Sequence, residues 1–228
     1  VSAVEVAFEG LRAMISTGRL GAGQRFPIEA HLCAELGVSR SSLREAVRML
    51  AALGVVETRQ GSGTYVSRLR AADIVGSLTL TVGLLPLEGL LEIYELRRVL
   101  EGHAAAGAAA RRPDSLVPEL DDLLTRIEAT DDPDLTAELD HRFHSMCAEA
   151  GGNPTLAALL EVFRSRSRSY QIFTSPSGPT IKRVSDEGHR AIADAIAARD
   201  PGAAETAACA HVAETERWLR RLQPPPAG

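Results

Sequence analysis

The sequence predicts a mainly α fold in two parts. Residues 1–70 read as three helices followed by a glycine-turned hairpin, residues 71–222 as an all-helical bundle of six or seven helices, and residues 223–228 as a frayed tail. Three observations lead there. Alanine is abundant while aromatic residues make up only 4% of the 228 residues, a balance that favours helix over sheet. After about Ala71 every segment has helical apolar spacing, punctuated by proline, glycine and aspartate. The net charge of −5 also divides unevenly: residues 1–70 carry nine Arg against six Glu, so +3, which leaves −8 on the rest. A basic head on an acidic body suggests two domains with different partners.

The first helix follows from Val4, Phe8, Leu11 and Ile15, spaced by four, three and four, and Gly18, Gly21 and Gly23 end it. The second runs from about Ile28 to Leu36, with Leu32, Cys33 and Leu36 inward and Gly37 as its C-terminal stop. Ser39 caps the third, Arg40 to Leu53, whose apolar face is Leu43, Ala46, Val47 and Leu50. Val55–Arg59 and Thr64–Ser67 flank Gln60-Gly61-Ser62-Gly63 and predict a hairpin. Body helices are expected near 73–84, 87–111, 115–129, 134–150, 154–173, 179–199 and 201–222. The breakers between them include Pro86, Pro113, Asp131-Asp132-Pro133, Gly151–Pro154, Ser175–Pro179 and Asp200-Pro201-Gly202, and Pro224-Pro225-Pro226 cannot continue a helix.

Three scattered cysteines, Cys33, Cys147 and Cys209, form no CxxC pair and suit reduced thiols in a cytoplasm. Glu5, Glu9 and Arg12 interrupt any apolar leader. The most apolar stretch, Ile74–Leu91, is too broken by Gly76, Gly83, Pro86, Glu88 and Gly89 to read as a membrane span. A cytoplasmic chain with no membrane partner is expected.

The tight Gly37-Val38-Ser39 turn between the second and third helices forms a helix-turn-helix pattern. Ser39, Arg40, Ser41, Ser42 and Arg44 then stand at the start of the recognition helix. Hydroxyls and helix-start amides can meet phosphates, and arginine can meet phosphate or the O6/N7 edge of guanine. Arg40, Arg44 and Arg48 make a stripe, which taken alone is as often a merely solvated face. The ordered set of three helices, a basic recognition start and a hairpin with Gln60-Gly61 at its tip carries more weight than any one motif. This is a winged helix-turn-helix, the hairpin being the wing.

The stretches Arg25–Glu29, Leu32–Arg40, Leu43–Val47, Leu53–Val56 and Gly61–Val66 together resemble the winged helix of the GntR family of bacterial transcription regulators. The resemblance implies that Arg40 and Arg44 touch double-stranded operator DNA and that Gln60-Gly61 reaches the minor groove. Arg25, in the same stretch, joins the candidate contacts. Where the family often has a basic residue after the glutamate of the second helix, this chain has Ala30 and His31.

The body holds five of the six histidines. Asp140 and His144 are four apart, so one helix face presents both to a single ion. His189 and His211 lie on either side of the Asp200-Pro201-Gly202 turn, each about eleven residues from it. On antiparallel helices they therefore share one height. A lone helical histidine is more often a surface or core polar group, and His103 and His141 are read that way. The set of three imidazoles and a carboxylate can hold a divalent metal, Zn²⁺ first and Ni²⁺ or Mn²⁺ as alternatives, with positions open to solvent or an anion.

Leu91–Glu101, Asp140–His144 with Gly152-Asn153-Pro154, and Glu187–Ile192 with Ala198–Asp200 leading to His211 resemble the ligand-binding FCD domain of the FadR subfamily, across residues 73–222. That resemblance implies that Asp140, His144, His189 and His211 bind a divalent metal. It favours the metal-binding branch over the acyl-CoA-binding one. It also implies that Arg97 faces the cavity and pairs with a carboxylate of the effector, and it draws Asn153 into the effector-binding candidates. A buried guanidinium needs an anion, and a carboxylate suits it best. The other readings are a surface salt bridge from Arg97 to Glu101, and Arg98 as the inward arginine in a shifted register. Arg164, Arg166 and Arg168 spread around their helix and are expected to be mostly solvated, with room for one to project inward.

The function expected is a ligand-responsive regulator acting mainly by repression. It binds operator DNA as a homodimer and senses a small carboxylate effector beside the metal. The alternative is a metal-dependent hydrolase using the His₃Asp site. Against it, no evident general base accompanies the ligands, and HExxH, GxSxG and P-loop patterns are lacking, so the chain is not expected to be an enzyme. A third reading gives the metal a purely structural role.

Overall fold

The computed structural model describes residues 1–167, 170 and 172–225, and the chain divides into two compact units, Val1–Ser77 and Leu78–Gly228. Among the described residues it is mainly helical, with one two-stranded sheet.

In the first unit, α1 (Ala3–Ser16) opens with a capping box: the Glu5 amide donates to Ser2 Oγ (3.1 Å), and the Ser2 amide donates to the Glu5 carboxylate (2.7 Å). α2 (Glu29–Leu36) ends at Gly37, whose φ of 66° a side chain would strain. Ser39 Oγ caps α3 (Arg40–Ala52) by accepting from the Ser42 amide at 3.1 Å. β1 (Val56–Arg59) and β2 (Gly63–Val66) pair antiparallel, Val56 opposite Val66 and Arg59 opposite Gly63. Ala7, Leu11, Leu32, Leu43, Ala46, Leu50, Val56 and Val66 meet in one core, so the wing is anchored by its ends. The short α4 (Ala71–Gly76) closes this unit.

The second unit holds α5 (Thr79–Gly83), α6 (Leu87–Arg111), α7 (Leu116–Ala129), α8 (Pro133–Ala150), α9 (Pro154–Ser167), a 3₁₀ turn (Ile172–Thr174), α10 (Gly178–Ala197) and α11 (Pro201–Leu222). Asp132 caps α8 and Asp200 caps α11, each followed by a proline at the helix start. α6 packs along α11, and a core of Ala105, Ala108, Leu120, Leu124, Ile127, Leu139, Phe143, Ile192 and Ile196 ties α6, α7, α8 and α10 together. The alanines let the helices approach closely, which explains the low aromatic content.

Two helix expectations need correction. The segment 73–84 is not one helix: Ser77 Oγ donates to the Ile74 carbonyl at 2.7 Å and the chain breaks into α4 and α5. The segment expected at 154–173 is α-helical over Pro154–Ser167 and 3₁₀ at Ile172–Thr174, with Ser165 Oγ donating to the Val162 carbonyl (2.6 Å) and Ser167 Oγ to that of Phe163 (3.5 Å), while residues 168, 169 and 171 lie outside the described residues. Arg168 and Pro226 fall outside the described residues. Among the described residues no helix is long and apolar enough to cross a membrane.

Candidate metal centre and nucleic-acid interface

α8, α10 and α11 bring together the four residues that sequence spacing grouped. One ligand atom from each of Asp140, His144, His189 and His211 lies within 4.8 Å of all the others. His144 Nε2 is 3.1 Å from His211 Nε2 and 3.2 Å from His189 Nε2, and His189 Nε2 is 3.1 Å from Asp140 Oδ1. Ligand atoms about 2.0–2.1 Å from a common ion would stand roughly 3.0–3.4 Å apart, so these separations fit a metal. The chemistry of the donors fits too. Burial, helped by the nearby Arg164, pushes His144 down to about 4, and burial beside the other two imidazoles holds His211 well below its usual range. Burial opposes ionisation of Asp140, but Arg164 and His189 outweigh it and keep its carboxyl well below the usual range. Neutral imidazoles with an ionised carboxylate are what a divalent cation requires. His189 Nδ1 is buried without a hydrogen-bond partner, and Gly188 leaves room for the His211 ring: a Cβ there would sit 2.5 Å from His211 Nδ1.

Around these four lies a buried charge network. Arg97 is 4% exposed and Glu101 5%, so their pairing (Nη2 to Oε1, 2.7 Å) is an interior ion pair, not the surface salt bridge considered from sequence. Arg97 also donates to Ser167 Oγ at 2.8 Å. Arg164 is the arginine of its run that projects inward, which the sequence left room for without saying which one. It is buried, and it donates from Nη1 to Glu101 Oε2 (3.1 Å) and from Nη2 to Asp140 Oδ2 (2.6 Å). Arg166 donates to the Leu85 carbonyl at 2.8 Å. Arg98 is half-exposed and turned toward Glu216, 3.8 Å away, so the inward register is that of Arg97.

A cavity of about 310 Å³ opens beside the cluster, lined by Tyr94, Arg97, Asp140, Arg164, Ser167, His211, Thr215 and Trp218 among others. Glu101 and Asp140 balance Arg97 and Arg164 in the buried network. Asp134, Glu138 and Glu214 also line the cavity, so its protein groups carry no net positive charge and the cationic part of the wall is Arg97 and Arg164. Asn153 is not among the lining residues: its side chain caps α9, accepting from the amides of Thr155 and Leu156 at 3.1 Å each. His103 is exposed, and His141 lies 3.2 Å from Glu161. Sequence reasoning placed Glu101 at the surface and left open which of Arg164, Arg166 and Arg168 turns inward. The run of small and apolar residues after Glu101 was the available signal, since a charge on a helix apolar all round is buried and needs a partner.

In the first unit, Ser39, Arg40, Ser41, Arg44 and Arg48 are exposed along the start and one face of α3, and Ser42 is half-buried. Ser39 Oγ lies 2.8 Å from Ser41 Oγ and 2.9 Å from Ser42 Oγ, a hydroxyl cluster at the helix N-terminus. Glu29 of α2 orients Arg44, accepting from Nε and Nη2 at 2.9 and 3.0 Å and leaving Nη1 outward. Gln60 and Gly61 are exposed at the wing tip, where Gly61 has φ 73°. Arg25 lies along the wing: its backbone bridges Tyr65, and its guanidinium passes so close to Gly63 that a Cβ there would be 3.0 Å from Nε.

Comparison with known proteins places both units. The profile of bacterial regulatory proteins of the gntR family matches residues 3–66, and the FCD domain profile matches residues 92–214. The chain is 31% identical over 215 residues to the HTH-type transcriptional regulator LutR of Bacillus subtilis (strain 168), covering 90% of this chain and 96% of that one. It is 31% identical over 229 residues to the Glc operon transcriptional activator of Escherichia coli (strain K12), covering 96% and 89%. Among solved structures, Streptococcus agalactiae GntR matches with a TM-score of 0.59 and 32% identity, over 94% of this chain and 99% of that one.

Proposed function

The chain belongs to the gntR family of bacterial regulatory proteins and carries an FCD domain, and from that premise we propose that it is a transcription regulator in which a divalent metal and a small carboxylate effector control operator binding. The domains are assigned as residues 1–70 for DNA and 71–222 for sensing. Arg25, Ser39, Arg40, Ser41, Ser42, Arg44, Gln60 and Gly61 meet the DNA. Asp140, His144, His189 and His211 hold the metal, Zn²⁺ first, with Ni²⁺ or Mn²⁺ as alternatives. Arg97 takes the effector carboxylate. The observation that carries this reading is the convergence of three imidazoles and a carboxylate beside a cavity walled by two buried arginines.

The metal supplies a fixed positive charge and open coordination positions. The chain's own residues do the rest. Arg97 and Arg164 select for an anion, Tyr94 and Trp218 exclude larger ligands, and His211, shared by the metal set and the cavity wall, makes α11 respond to what is bound. An effector that fits one arrangement of the body better than another changes the affinity of the head for operator by linkage. Two copies acting as a homodimer in the cytoplasm would read two half-sites, and repression is the expected mode.

The test is a thermal-shift screen of the metal-stripped protein against Zn²⁺, Ni²⁺ and Mn²⁺, alone and with a panel of small mono- and dicarboxylates. The reading expects the melt to rise with metal and to rise further with one carboxylate only when metal is present. Hits that stabilise equally without metal would contradict it, and so would a melt indifferent to all three metals.

A further inference from the structure

The buried carboxylate of Glu101 touches no metal position, yet it accepts hydrogen bonds from three functional side chains at once. Oε1 accepts from Arg97 Nε at 2.8 Å and from Arg164 Nη1 at 3.3 Å, with Arg97 Nη2 paired 2.7 Å away. Oε2 accepts from Arg164 Nη1 at 3.1 Å and stands 3.0 Å from His144 Nδ1. A carboxylate offers about four acceptor positions, so Glu101 is saturated and none of its bonds is spare. A salt bridge made only for stability needs one cation. Here a single anion is spread over two arginines that wall the cavity and one histidine of the metal set.

The geometry points to Glu101 as a positioning residue of the metal centre. It fixes the tautomer and ring orientation of His144, and the two arginines that wall the cavity fix Glu101. For Glu101 to accept from Nδ1, the proton of the neutral imidazole must sit on Nδ1, which leaves the Nε2 lone pair aimed at His189, His211 and Asp140. Arg164 closes the loop, because its other nitrogen holds Asp140 Oδ2. One carboxylate thus orients one ligand directly and, through Arg164, steadies a second. This rests on the metal assignment above.

The first experiment measures Zn²⁺ affinity of the full chain by competition with a chromophoric chelator, for wild type and Glu101→Gln, with the metal alone as probe. The amide keeps the shape but loses the charge. The expected result is one bound Zn²⁺ per chain in both, with affinity about 10–100-fold lower in the variant. Wild-type affinity in a folded Glu101→Gln would overturn the role of Glu101 while leaving the metal site standing. A wild-type chain that binds no Zn²⁺ would overturn both. Removing the anion leaves two buried cations facing each other, so the variant can fail to fold. The second measurement therefore uses wild type only: a long-range ¹H–¹⁵N spectrum of histidine-labelled, metal-free protein, with His144 assigned by His144→Gln. The proton is expected on Nδ1 of His144. A proton on Nε2 would overturn the proposal.

Discussion

Gly188→Ala is the perturbation whose two physical effects oppose each other most directly. Gly188 sits inside α10. Within a helix, glycine costs about 0.8–1.0 kcal/mol relative to alanine, so propensity alone says that the substitution stabilises. The structure says otherwise. The new Cβ would lie 2.5 Å from His211 Nδ1, 3.2 Å from its Cγ and 3.3 Å from its Cβ. These atoms are the root of the His211 side chain, not the far end of a flexible one, so the ring or α11 must move. Relief requires a shift of roughly 1 Å to reach ordinary contact, and overpacking of this kind costs ~1–3 kcal/mol. The metal-free variant should therefore be less stable by about 0–2 kcal/mol once the gain in propensity is set against the clash. The larger effect falls on the metal, because ligand positions tolerate only about ±0.2 Å. Zn²⁺ affinity should drop about tenfold or more. Chelator competition and a denaturant melt on the same preparation read both quantities. A Gly188→Ala chain that melts higher than wild type and binds Zn²⁺ as tightly would refute the reasoning.

Further outcomes follow from the same structure. In metal-free protein, urea midpoints should fall as the pH is lowered from 7.5 to 5. The buried His144, pushed down to about 4, stays neutral while the unfolded chain, titrating near 6.5, gains protons; His211 is shifted the same way. Each group's contribution is complete above about pH 6.5 and is lost as the pH falls toward its folded value; an equal or higher midpoint at pH 5 would contradict the burial argument. Arg44→Ala should weaken operator binding by ~1–3 kcal/mol, because the guanidinium exchanges its exposed pairing with Glu29 for a bidentate contact with a base edge; unchanged affinity in a gel shift would remove Arg44 from the interface. Leu124→Ala, at a fully buried position between helices, should cost about 2–5 kcal/mol in a denaturant melt; a loss under 1 kcal/mol would mean that the surrounding core is looser than described.

Much of this was legible in the sequence, for identifiable reasons. Ser39, Gly37 and the Val56/Val66 runs are local signals, and each produced the cap, stop or strand pairing that it implies. The metal set was legible because helix periodicity turns spacing into geometry: four residues place Asp140 under His144, and equal distances from one turn level His189 with His211. What the sequence hid was tertiary. Arg164 sits in an alternating Arg–Ser run that looks solvated, and only packing of α9 onto α6 and α8 reveals that it points inward. Glu101 could be read equally as a surface partner of Arg97, because i,i+4 spacing says nothing about burial. Asn153 stands in a segment shared with the family, but its side chain spends its acceptor on the α9 amides and does not line the cavity. The charge asymmetry now has a structural counterpart. The exposed arginines of α3 lie on the basic unit, while two of the body's arginines, Arg97 and Arg164, are buried.

The most direct test of the central claim is a Zn²⁺ titration of metal-stripped wild type beside His189→Ala, followed by X-ray absorption at the zinc edge. One Zn²⁺ per wild-type chain, with a first shell of three imidazole nitrogens plus oxygen, and loss of tight binding in His189→Ala, is the predicted result. Stoichiometric tight binding in His189→Ala, or a sulfur-rich first shell in wild type, would contradict it.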